Sequence, residues 1–167
     1  MARIDIDQAS VLTAVTNRLI SQLAIDATHV LEVVDPMHPP DILPSGSIFV
    51  SVAIGNGTFP FDEQGIPQLR EDTDVEVTGY VRVNLDQPGT DGLFLKHATR
   101  GILALKRKIL IALAGWDLVD PTSGTDVFLA SLMYAKSCSR PNYSSDMGGV
   151  GWLTITFGVD FDWDMTL

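Results

Sequence analysis

The chain has 167 residues, 46% of them hydrophobic, and carries 21 Asp and Glu against 11 Lys and Arg, a formal net charge of −10. That length supports one good core, so a single domain over 1–167 is expected. The longest apolar run, 109–114, is far too short to span a bilayer. A surface this acidic repels phosphate, because nucleic-acid affinity comes largely from cations displacing condensed counterions, and stable nucleic-acid binding is disfavoured.

The opening MARIDIDQAS lacks a basic segment followed by an apolar one, so no signal peptide is expected. One cysteine, Cys138, excludes an internal disulfide framework and fits synthesis in a reducing compartment.

Asp7 reads as the N-cap of a helix over 8–25, in which Leu12, Val15, Leu19 and Leu23 recur at helical spacing. A short strand is expected over 28–34, broken by Asp35-Pro36-Met37-His38-Pro39-Pro40. The next strand, 47–54, places Ile48, Val50, Val52 and Ile54 on one face. The stretch 55–72, GNGTFPFDEQGIPQLRED, has no clean period and reads as a long loop. It carries Phe59, Phe61, Ile66 and Leu69, apolar groups suited either to a partner or to folding back over the sheet.

The clearest element is 73–85, TDVEVTGYVRVNL. Val75, Val77, Gly79, Val81, Val83 and Leu85 share one parity, and Asp74, Glu76, Thr78, Tyr80, Arg82 and Asn84 the other. Such alternation marks a strand with one face on a core and the other in water. Gly79, on the apolar parity, marks a bulge or a close approach of a helix. After the turn Asp86-Gln87-Pro88-Gly89, a second helix over 92–114 is capped by Thr90 or Asp91 and ended by Gly115 in the left-handed conformation. Its core stripe is Ala98, Ile102, Leu105, Ile109 and Ala112, while Lys96, Arg100, Lys106, Arg107 and Lys108 make another face basic. A solvated charged face is the simpler reading of those cations; docking on a neighbour's acidic face is the other.

A strand over 125–136 and a turn-rich arm over 137–151, SCSRPNYSSDMGGVG, precede the last strand, 152–165. There Leu153, Ile155, Phe157, Val159, Phe161 and Trp163 alternate with Thr154, Thr156, Gly158, Asp160, Asp162 and Asp164. The order of elements implies an α+β fold: an antiparallel or mixed β-sheet of about five strands with two α-helices packed on one face.

Catalytic signals are sparse. Asp160, Asp162 and Asp164 share a strand face at about 7 Å spacing and suit a hard divalent cation, the one route to a metal-dependent hydrolase. No HExxH or CxxC motif completes them, and a solvated acidic strand face explains them as well. His29, His38 and His97 are scattered, without a ligand pattern. Gly55-Asn56-Gly57 and Gly148-Gly149-Val150-Gly151 are followed by no Lys-Ser or Lys-Thr pair, so neither cradles phosphate. No cofactor motif is present and no enzyme is expected.

Taken together, the helix VLTAVTNRLISQL, the strands SIFVSVAI and DVEVTGYVRVNL, the helix LFLKHATRGILALKRKILIAL and the last strand GWLTITFGVDF resemble the tail terminator (tail-completion, or neck) proteins of long-tailed bacteriophages. That resemblance is architectural and covers nearly the whole chain. It implies a structural virion protein forming a homo-oligomeric ring, usually of six copies, that ends the tail tube and joins it to the head connector. A head-completion (stopper) ring or a tail-tube protein is the related alternative.

A closed ring needs two different patches of one subunit to meet. Lys96, Arg100 and Arg107 on the helix, and Asp74, Glu76 and Arg82 on the strand, are the candidate interface residues. Phe59, Phe61, Ile66 and Leu69 are the candidate contacts to tube or connector. Six copies would carry roughly −60 charges, and an acidic lumen would let DNA pass without sticking.

Overall fold

A computed structural model of the chain describes residues 8–34, 48–58, 70–82, 101–119, 128–144 and 149–162. In chain order these form α1 (Gln8–Leu23), a 3-10 turn (Ala27–His29), β1 (Val30–Glu32), β2 (Ile48–Thr58), β3 (Arg70–Arg82) and α2 (Ile102–Leu113). There follow β4 (Asp117–Val119), β5 (Phe128–Leu132), β6 (Tyr134–Cys138), β7 (Asn142–Ser144) and β8 (Val150–Asp162).

The main sheet has six strands in the order β1-β2-β3-β8-β6, with β7 following β6 along the same edge of β8. β1 runs parallel to β2 and every other pairing is antiparallel, so the sheet is mixed. The α+β expectation holds, with one strand more than the five read from the sequence and a separate β4-β5 ribbon beside it.

Alternation does what it predicts in the two longest strands. β3 and β8, 13 residues each, pair without a shift from Arg70↔Asp162 to Arg82↔Val150. Val75, Val77 and Val81 therefore share a face with Leu153, Ile155, Phe157 and Val159, and all are buried. α1 buries Val11, Ala14, Val15 and Leu19 against this face, and α2 buries Ile102, Leu105, Ile109, Ala112 and Leu113.

Gly79 lets α2 come in close. A Cβ there would stand 2.8 Å from Leu105 Cδ2 and 3.0 Å from Ile109 Cδ1, closer than van der Waals contact allows. The helix end is fixed from two sides. Gly115 takes φ +74 and donates its N–H to Met133 O at 2.8 Å. Arg18 of α1 donates from Nε to Ala112 O at 3.1 Å, with its guanidinium 5.2 Å from the centre of the Trp116 ring. A cation at a helix C-terminus meets the negative end of the helix dipole.

Four local expectations are corrected. The loop read over 55–72 is in part sheet: β2 runs on to Thr58 and β3 begins at Arg70, with a register shift between Ile54 and Gly57. The single strand read over 125–136 is two strands, because Met133 turns aside. Its N–H bonds Trp116 O and its carbonyl accepts from Gly115 N, so β5 joins β4 and β6 joins β8. The arm read over 137–151 instead lies partly along β8, where Asn142, Tyr143 and Ser144 pair with Trp152, Gly151 and Val150. Gly101 is extended (φ −77, ψ 158) and stands before α2, so the helix expected over 92–114 does not run through it; α2 begins at Ile102, and 92–100 lie outside the described residues. The proposed caps Asp7, Thr90 and Asp91 lie outside the described residues.

Replacing Gly79 with valine should force α2 away from the sheet and lower stability by about 1–3 kcal/mol, the usual range for overpacking. Urea unfolding measures this; an unchanged midpoint would show that the helix does not rest on Gly79.

Candidate functional site

The face of the sheet away from α1 and α2 is graded along the strands. At one end Phe49 of β2, Tyr80 of β3 and Trp152 of β8 stand side by side in register. The Phe49 and Tyr80 rings stack with centroids 4.6 Å apart and planes 6° from parallel, and Val150 joins them in a small second core. Offset stacking of this kind contributes about 0.5–1.5 kcal/mol beyond the area it buries.

The next row is Ser51, Thr78 and Thr154. Thr78 and Thr154 hydroxyls lie 2.8 Å apart, and the Tyr80 hydroxyl is 3.3 Å from Ser51 Oγ. Burial raises the Tyr80 phenol above its ordinary value, and hydrogen bonds from Ser51 and Thr78 offset part of the rise. The alternating parity thus did not leave this face uniformly wet: Thr78 and Tyr80 are both fully buried.

Towards the other end the face turns acidic. Ala53, Glu76 and Thr156 form one row, Asp74 pairs with Gly158, and Asp72 stands opposite Asp160. Like charges directly opposite on neighbouring strands repel. Lys136 of β6 relieves this by reaching across β8, its Nζ 3.0 Å from Asp72 Oδ1 and 2.8 Å from Asp74 Oδ1.

The crossing is possible because residue 158 is glycine: a Cβ there would collide with the Tyr134 ring and stand 2.6 Å from Lys136 Cε. The Asp74 and Asp72 carboxylates hold the Lys136 ammonium well above the usual lysine range. At the outer end of the acidic segment, on the helix side of β3, Glu71 is buried; it accepts from Gln8 Nε2 at 2.8 Å and from Thr73 Oγ1 at 2.6 Å.

Of the candidate interface residues, Asp74 and Glu76 are half-buried on this face and Arg82 is exposed at the end of β3. Arg107 is exposed on α2, on the far side of the sheet. Lys106 beside it is half-buried and Lys108 exposed. The structure therefore places the acidic strand residues and the basic helix on different sides of one subunit. Lys96, Arg100, Phe59, Phe61, Ile66 and Leu69 lie outside the described residues.

Two exposed groups on α2 were not singled out by the sequence: Leu103 (47% exposed) and Ile111 (68%) flank Arg107 at one-turn spacing. The high apolar content of the helix on every side was the available signal.

Asp160 is half-buried, while Asp164 and the Asp162 side chain lie outside the described residues. Among the described residues no group of three His, Cys, Asp or Glu is placed to hold a metal ion. His29 sits in the 3-10 turn that Asp26 opens by accepting from the Thr28 N–H at 2.8 Å. His38 and His97 lie outside the described residues, and Cys138 is an exposed free thiol. No described helix is long and apolar enough to cross a membrane.

No protein-family model matches the chain, and no curated protein matches it. Among solved structures, the chain is similar to a component of the virion of a native gene transfer agent (GTA) particle. The identity is 15% and the TM-score 0.48, over 92% of this chain and 96% of that one. A likeness of that degree assigns no role by itself.

Two measurements check the face. A raised lysine stabilises the fold below its ordinary value of 10.5, and that contribution is lost as the pH climbs through the raised one. Lys136→Met should therefore cost about 0.5–1 kcal/mol near neutral pH, in the range for partly exposed pairs. The gap from the parent should close in alkali; a gap that persists there would assign it to packing. The phenol of Tyr80 should ionise above the ordinary tyrosine value of 10.0. Absorbance titration of the parent against Tyr80→Phe isolates it, and a difference curve centred at the ordinary value would contradict its burial.

Proposed function

We propose that this chain is a single-domain structural virion protein of a long-tailed phage. In this reading it forms a ring, usually of six copies, at the neck, ends the tail tube and joins it to the head connector, and it is not an enzyme. The observation that carries the reading is the separation of opposite charge on one subunit: Lys106, Arg107 and Lys108 on α2 and Asp72, Asp74 and Glu76 on the other side of the sheet. A molecule with unlike patches on different sides associates head to tail, which closes rings when the rotation allows.

In the ring, Lys96, Arg100 and Arg107 face the Asp74, Glu76 and Arg82 region of the next copy. Phe59, Phe61, Ile66 and Leu69 meet the tube protein or the connector. The excess of carboxylates lines a lumen through which DNA slides without binding. The stopper ring and the tail-tube protein remain related structural readings. Two amphipathic helices on one face weigh against the tube, and no observation favours the metal-dependent hydrolase.

Light scattering coupled to size exclusion, together with co-sedimentation with purified tail tubes, tests the reading. A closed oligomer in solution, or one formed on the tubes, is expected. A protein that stays monomeric at high concentration and does not bind tubes would overturn it.

A further inference from the structure

Resting on the ring reading, we infer that the outward ridge of α2, Leu103–Arg107–Ile111, is a docking surface for a second copy of this chain. Residues four apart on a helix lie one above the other, so the two exposed apolar residues bracket position 107 in one line along the helix. Lys108 is exposed beside them, and Lys106 is half-buried. An apolar pair within a charged rim, with an arginine at its centre, has the make-up of an interface core.

Charge selects the occupant. Each copy carries a net charge of −10, so two copies repel over most of their surfaces. The run Lys106-Arg107-Lys108 holds three of the eleven Lys and Arg, and there the sign of the force reverses. The same charges work against a two-fold contact of α2 centred on Arg107, which would set Arg107 and Lys108 against their own counterparts. The ridge therefore meets a different, acidic part of the next copy, and the contact is head to tail. The half-buried Asp72 and Asp74 lie on the other side of the sheet and keep side-chain exposures of 33% and 27%. Two carboxylates share one Lys136 there, so that end retains negative charge for an approaching cation.

The test is Leu103→Asp with Ile111→Asp in the full chain. Both positions are exposed, so far-ultraviolet circular dichroism and the urea midpoint should be nearly unchanged. Arg107→Glu serves as a second variant that leaves the apolar pair intact. Sedimentation velocity of the parent and both variants, with and without tail tubes, reads the outcome. Self-association at least ten-fold weaker in both variants is expected, with the parent's own association falling as salt is raised.

If the parent assembles and the variants assemble equally well, the ridge is not the contact and the ring reading survives. If the variants assemble normally but lose the tubes, the occupant is the tube protein and the inference is overturned. A parent that neither assembles nor binds tubes overturns both.

Discussion

The unshifted pairing of β3 with β8 is the constraint on which the rest depends. Thirteen residues of each strand face one another, so every side chain in both is assigned to one of two faces together. A slip of β3 by one residue on β8 would turn Val75 and Val77 outward and bring Asp74 and Glu76 beneath the helices, while Phe157 and Ile155 of β8 stayed inward. Nothing in the pairing of backbone groups alone resists such a slip. The resistance comes from what each face buries: the valine, leucine and isoleucine layer under α1 and α2, and the stacked Phe49 and Tyr80 with Val150 on the reverse.

Two glycines let side chains use those faces. Gly79 removes a side chain on the helix side where Leu105 and Ile109 come down, so α2 sits against the centre of the sheet. Gly158 removes one on the reverse side where Tyr134 and Lys136 cross β8. Lys136 thereby ties the outermost strand to β3, two strands inward, and offsets the repulsion of Asp72 and Asp160. The electrostatics of the acidic end and the seating of the edge strand are one interaction. They leave α2 as the locally basic side of an acidic molecule.

Where period and burial agree, the sequence was readable. β3 and β8 were evident because polar and apolar residues alternate without a break, and the stripe Ile102, Leu105, Ile109 and Ala112 because α2 buries those positions. Gly115 as the helix stop and Gly79 as a close approach followed from conformational rules alone. The break at Met133 was not readable, since the periodicity runs through it and only the tertiary bonds to Gly115 and Trp116 end the strand. Gly55 and Gly57 read as loop, yet they lie in β2, where a Cβ on Gly55 would stand 3.0 Å from Asp74 Cβ and one on Gly57 would meet the Glu71 carboxylate. Burial of Tyr80 was likewise hidden, because its partners Phe49 and Trp152 are distant in sequence. Of the candidate interface, the charges were visible but the exposed Leu103 and Ile111 were not, since apolar residues on a helix read by default as core.

The register of β3 on β8 can be measured directly by cysteine pairing in a Cys138→Ser background. Thr78 and Thr154 face each other with hydroxyls 2.8 Å apart, so Thr78→Cys with Thr154→Cys should link on mild oxidation and keep the fold. Linkage of Thr78→Cys to Leu153→Cys or Ile155→Cys instead, with none to Thr154→Cys, would contradict the register and the division of faces built on it.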